Sequence, residues 1–160
     1  MKQIIFIILA LIFYVPVMPQ ITSVASKAIL TAGSSKDTED AKIIHLDKKK
    51  FISEIFDYEN EKEWKYLGDK PAIIDFYADW CKPCRMVAPT LEELQKEYGT
   101  KIQIYKINTQ FEQELASIFG ITGIPAFLFI PVDGQPSMGT GALPKSTFEQ
   151  YIKELLKVEK

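Results

Sequence analysis

The sequence predicts an α/β fold: a mostly parallel central sheet, an antiparallel C-terminal hairpin at one edge, and helices on both faces. Three observations carry this. Ala72-Ile73-Ile74-Asp75-Phe76-Tyr77 is an almost continuous apolar run, the pattern of a strand covered on both sides. Strand-like runs alternate along the chain with segments whose apolar residues recur at helical spacing, and that alternation builds a parallel sheet with helices packed against it. Finally, Asp133-Gly134 separates two further strand-like runs, a dipeptide suited to a hairpin turn.

The elements follow in the order β-α-β-α-β-α-β-β-α. Ile43-Ile44-His45-Leu46 reads as a short strand. Lys50 to Trp64 places Phe51, Ile55, Phe56 and Trp64 at roughly helical spacing among charges. Gly68-Asp69-Lys70-Pro71 is a turn, and the apolar run 72–77 follows. Met86 to Tyr98 is a helix with Val87, Leu91, Leu94 and Tyr98 on one side; Pro89 is expected to kink it and Gly99 to stop it. Lys101 to Asn108 is the next strand. Phe111 to Phe119 reads as a helix with Phe111, Leu115, Ile118 and Phe119 on one face, ended by Gly120. Ala126 to Ile130 and the weaker Ser137 to Thr140 form the hairpin, whose polar, Gly-rich outer strand suits an edge. Ser146 to Val158 closes the chain as a helix, with Phe148, Tyr151, Ile152 and Leu155 at i, i+3, i+4 and i+7.

With 160 residues the chain has room for one domain with a proper core. Its net charge of −2, from 19 basic and 21 acidic residues, leaves no electrostatic footprint for nucleic acid. The N-terminal end reads differently from the rest. Lys2 precedes an unbroken apolar run of 12 residues, Ile4 to Val15, which Pro16 and Pro19 break; Ser23, Ala25, Ser26 and Ala28 follow. This is the layout of a secretory signal peptide over 1–28, with cleavage near 25–28. The competing reading is an uncleaved membrane anchor, but a spanning helix needs about 20 apolar residues. Residues 29–42 are small and polar and read as a flexible lead-in, leaving 43–160 as the domain. Cleavage after Ala28 removes Lys2 and Lys27, leaving 17 basic against 21 acidic residues, a net charge of −4. The last residues, Lys157 to Lys160, are no endoplasmic-reticulum retention signal, so the expected compartment is a bacterial periplasm.

The two cysteines of the chain stand in Trp80-Cys81-Lys82-Pro83-Cys84, where a buried strand gives way to a helix. Two thiols at this spacing can close and reopen a small ring. A helix N-terminus offers free N–H groups and partial positive charge to a thiolate. Pro83 suits the first turn, where its missing N–H costs nothing, and Lys82 adds a cation. Together these lower a thiol from about 8.5 toward about 7. Cys81 is then the attacking sulfur and Cys84, one turn on, the resolving one. Two competing readings are a static staple and half a zinc site. A four-residue loop removes little unfolded-chain entropy, and a structural zinc wants four ligands, whereas one histidine, His45, accompanies the two cysteines. His45 itself reads as a structural or exposed residue. Asp75 interrupts the apolar run and has two readings: a buried carboxylate able to take the Cys84 proton, or an aspartate facing solvent at a sheet edge. Ile124-Pro125 opens a strand, and sequence physics alone favours its trans form.

Ile74-Asp75-Phe76-Tyr77-Ala78-Asp79-Trp80-Cys81-Lys82-Pro83-Cys84-Arg85 resembles the active-site segment of the thioredoxin family. Gly123-Ile124-Pro125 resembles that family's cis-proline loop and Gly141-Ala142-Leu143 its C-terminal glycine loop, over a stretch from about Ile43 to Leu156. The resemblance implies a thioredoxin fold and a thiol–disulfide oxidoreductase acting on disulfide-containing proteins, with no cofactor or metal beyond the redox-active Cys81–Cys84 pair. It implies a nucleophilic Cys81, a resolving Cys84, a proton-accepting Asp75 neighboured by Lys106, and a cis Pro125. It also implies an apolar substrate groove made by Trp80, Gly123, Ile124 and Gly141, with Lys82 and Pro83 beside it. Lys-Pro stands where the family usually has Gly-Pro, and Ala126 where it often has threonine. The expected potential lies between about −270 and −180 mV, nearer the lower value.

Export and this site together imply a monomer that reduces or isomerises protein disulfides and takes electrons from a membrane thiol carrier. The rivals are a dedicated disulfide oxidant, a reductase of cytochrome maturation, and a non-enzymatic scaffold using the same fold. The first lacks its large helical insertion here, the second would need an insertion where 98–101 is short, and the third commonly loses a cysteine.

Overall fold

A computed structural model describes residues 42–160; the signal-peptide segment 1–28, and all of the lead-in except Lys42, lie outside the described residues. The elements are β1 (Ile44–His45), α1 (Lys48–Glu54), β2 (Ala72–Tyr77), α2 (Lys82–Tyr98), β3 (Gln103–Asn108), α3 (Gln113–Ile118), β4 (Ala126–Ile130), β5 (Ser137–Thr140) and α4 (Lys145–Glu154). They form a five-stranded mixed sheet in the order β1-β3-β2-β4-β5. β1, β2 and β3 are parallel. β4 runs antiparallel to both β2 and β5, so the reversal reaches the central strand and is not confined to the edge pair.

Strand alternation divides the core. Ile74 and Phe76 of β2 pack with Phe51, Ile55, Ile107, Leu115 and Leu128 under α1 and α3. Ile73 packs with Leu91, Leu94, Ile104, Phe127, Phe129, Phe148 and Ile152 under α2 and α4. Asp75 has the parity of Ile73, so it belongs to the α2 face.

Several boundaries depart from the sequence reading: α2 starts at Lys82 and not Met86, β3 at Gln103 and not Lys101, and α4 ends at Glu154 and not Val158. The helix expected over 50–64 is the shorter α1. Asp47 caps it by accepting the Lys50 N–H at 2.8 Å, and its end is closed by Ile55 and Phe56, which both donate to the Phe51 carbonyl. Trp64 still packs its ring 4.8 Å from that of Phe56, but from irregular chain, so its apolar spacing reflects burial without a helix. α3 begins at Gln113 because Asn108 tightens the preceding turn. Its carbonyl accepts from Phe111 and Glu112, and its side chain accepts from Gln110. Phe111 therefore sits in that turn, 71% exposed, and not on a buried helix face. The hairpin strands fall at Ala126–Ile130 and Ser137–Thr140 as expected, joined by residues 131–136 with Gly134 at φ +108°. α2 continues through Pro89 and stops at Gly99, where φ is +54°.

Candidate active site

The site forms where β2 hands over to α2. The Cys81 N–H donates to the Ala78 carbonyl at 3.0 Å, turning the chain after the strand. Cys81 is the cap of α2, and its Sγ accepts the Cys84 N–H at 3.2 Å. The sulfur thus occupies the position in which a serine or aspartate oxygen normally satisfies a helix's free N–H groups. That places the aligned peptide dipoles of a 17-residue helix behind it. Pro83 lies in the first turn, where no backbone donor is missed. Arg85 braces the approach by donating from Nη1 to the Asp79 carbonyl at 2.8 Å; sequence reading did not single it out.

Cys81 and Cys84 are joined as a disulfide. Both are buried, at 2% and 3% exposure, so accessibility does not distinguish them in this state; their surroundings do. Cys81 Sγ has the amide above and lies 3.9 Å from the Ile124 carbonyl oxygen. Ala78, Ile124 and Tyr77 complete the apolar wrapping. The Ile124–Pro125 peptide is cis, and the Pro125 carbonyl accepts the Gly141 N–H at 2.9 Å. Gly141 takes φ +86° there, a conformation that a side chain disfavours.

The residues expected in one apolar groove divide between two adjoining clefts. Gly123 and Ile124 border both. One continues along Pro125, Met138 and Gly141; the other runs to Trp80, Thr109 and Gln113. Trp80 is 69% exposed. Lys82 and Pro83 are exposed at the helix start and line neither cleft. Met138 and Thr109 were not legible as cleft residues, because a methionine or threonine in a weak strand or a turn carries no signal of its own.

Asp75 is buried at 1% exposure. Its Oδ2 lies 3.5 Å from Lys106 Nζ, across the β2–β3 register that pairs the two residues. Its Oδ1 has no hydrogen-bond partner among the described residues. Burial lifts the carboxyl from its ordinary 3.8 to about 6, against the pull of the Lys106 charge. His45 is held below its usual value by burial and by Lys106, with Asp79 opposing. Among the described residues no three His, Cys, Asp or Glu side chains gather into a metal-binding group.

A family model described as Thioredoxin matches residues 42–154. A protein named Thioredoxin from Borreliella burgdorferi is 48% identical over 111 residues, covering 69% of this chain and 95% of that one. The M-type chloroplastic thioredoxin of Pisum sativum is 38% identical over 100 residues, 61% of this chain and 58% of that longer protein. The crystal structure of a chloroplastic thioredoxin z overlays with a TM-score of 0.61 at 23% identity, covering 73% of this chain and 96% of its own; at that identity the likeness shows the fold alone.

Proposed function

The chain belongs to the thioredoxin family, and we propose that this thiol–disulfide oxidoreductase is an extracytoplasmic reductase of protein disulfides. The observation that carries the direction of attack is the Cys84 N–H aimed at Cys81 Sγ at the start of α2. A thiolate on Cys81 is the anion this arrangement stabilises best.

The Cys81 thiolate attacks one sulfur of a substrate disulfide; a mixed disulfide forms and one substrate sulfur leaves as a thiolate. Cys84 gives up its proton, attacks Cys81 Sγ and closes the Cys81–Cys84 disulfide. The second substrate sulfur then leaves, and two electrons have passed to the substrate. Asp75 receives the Cys84 proton: it lies on the α2 face of β2, and a carboxyl near 6 is ionised at neutral pH yet readily protonated. Lys106 steadies the carboxylate. The clefts on either side of Ile124, with Trp80, Gly123, Pro125 and Gly141, hold the substrate backbone, and Lys82 and Pro83 flank its approach. A membrane thiol carrier returns the electrons to a monomeric protein in the periplasm, to which the apolar run Ile4 to Val15 directs the chain.

Insulin reduction by the wild type, Cys81→Ser and Cys84→Ser tests the order of attack. Cys81→Ser is expected to be inactive, while Cys84→Ser holds substrate as a mixed disulfide; equal activity in wild type and Cys81→Ser rejects the assignment. Residues 1–28 fused to a reporter that folds only outside the cytoplasm test export, and a silent reporter rejects it. Equilibration with a glutathione redox buffer is expected to place the potential between about −270 and −180 mV; a higher value indicates an oxidant.

A further inference from the structure

Lys106 is the cationic partner of Asp75, yet a lysine ammonium on a flexible four-carbon stem has many places to go. Lys106 also borders a cavity of ≈ 350 Å³ lined in part by Lys42, His45, Glu92 and Lys96, into which its side chain has room to swing. A second contact holds it back. Lys106 Nζ lies 4.3 Å from the centre of the Tyr77 ring, well within the range at which the ring face attracts a cation. Tyr77 stands two residues after Asp75 on β2 and so faces the same side of the sheet. The ring is itself anchored at its outer end. His45 of β1 meets it edge-on with centroids 6.1 Å apart, and the Tyr77 hydroxyl lies 3.5 Å from His45 Nδ1.

We propose that Tyr77 is a positioning residue whose ring face holds the Lys106 ammonium against Asp75, so that the aromatic ring, as well as the ion pair, governs when the carboxylate takes up a proton. Asp75 is sensitive to this because Oδ1 has no partner among the described residues and Lys106 serves Oδ2 alone. Loss of the ring frees Lys106 toward the cavity, weakens its attraction on the carboxylate and favours the protonated form. The other charged groups facing the cluster are His45 from β1, Asp79 beyond β2, Glu92 and Lys96 from α2, and Lys42. The consequence for turnover rests on Asp75 accepting the Cys84 proton; the positioning does not.

The test is a carboxyl-carbon NMR titration of Asp75 in the oxidised full chain, which reads this group separately from His45. Tyr77→Leu is expected to raise the Asp75 midpoint by about half a pH unit, while Tyr77→Phe, which keeps the ring, leaves it in place. Lys106→Met raises it further, and adding Tyr77→Leu to Lys106→Met adds nothing, because the ring acts through the ammonium. Should Tyr77→Leu fail to fold, Tyr77→Met removes the ring with less loss of volume and carries the same comparison. An unchanged or lowered midpoint in the ringless variant overturns the proposal. So does an equal rise in the Lys106→Met background, which a simple change in burial would give. If the midpoint moves while the pH profile of insulin reduction does not, the positioning stands and the proton-acceptor role of Asp75 falls.

Discussion

Asp75→Asn removes a buried charge while keeping the shape of the side chain, and the structure gives the size and the pH window of its effect. Burial lifts the folded-state carboxyl from 3.8 to about 6. The folded protein therefore binds a proton more tightly than the unfolded chain, and stability falls as pH rises through the interval between those two values. Well below pH 3.8 the carboxyl is protonated in both states and the penalty vanishes; above about pH 6 it is complete, at about 3 kcal/mol for roughly two pH units at about 1.36 kcal/mol each. At 1% exposure the group has almost no solvent to screen it. Asp75→Asn has no such proton to lose. The assay is urea unfolding of the oxidised wild type and variant at half-unit steps from pH 4 to pH 8. The difference in unfolding free energy, variant minus wild type, is expected to grow by about 2 to 3 kcal/mol between pH 4 and pH 7 and then level off. Titrations of other carboxyls cancel in that difference. Two curves that remain parallel would refute the reasoning, since Asp75 would then be as well solvated in the folded state as in the unfolded one.

Two further outcomes test the packing. Phe148→Ala empties a fully buried site where the ring lies 4.8 Å from Phe127 and 6.2 Å from Phe129; it is expected to cost about 3–5 kcal/mol in denaturant unfolding, with a loss under 1 kcal/mol arguing against this contact. Gln95→Leu leaves the Ile104 N–H and the Gly99 and Ile102 carbonyls without their side-chain partner at 2.6, 3.0 and 3.1 Å. A loss of about 2–4 kcal/mol is expected, and a near-neutral result would show that these backbone groups find other partners.

The order of elements was readable because each signal is local. A both-faces-apolar run, helical spacing on α2 and α4, and glycine at 99 depend on a few neighbouring residues and on backbone sterics. The cysteine motif was readable for the same reason: two thiols, a proline in the first helical turn and a preceding strand declare their chemistry within a dozen residues. Where local pattern and burial part company, the sequence misled. Phe111 has the right spacing for a helix face, but Asn108 turns the chain first and leaves the ring exposed. Trp64 has helical spacing from Phe56 but packs from irregular chain. Gln95 and Gln103 are polar yet buried: Gln95 donates to the Gly99 and Ile102 carbonyls of the turn after α2, and Gln103 to the Lys42 and Ile104 carbonyls.

The sequence by itself determined that two sulfurs sit at the start of a helix after a buried strand, because adjacent residues dictate that junction. Tertiary structure alone decided what surrounds them. Parallel pairing of β2 with β3 sets Lys106 beside Asp75. The return of the chain through Ile124-Pro125 brings a carbonyl to within 3.9 Å of Cys81 Sγ. The crossing of β1 beside β3 sets His45 against Tyr77. Each of these contacts joins residues some thirty or more positions apart, and only strand pairing and helix packing across the whole sheet can bring them within reach.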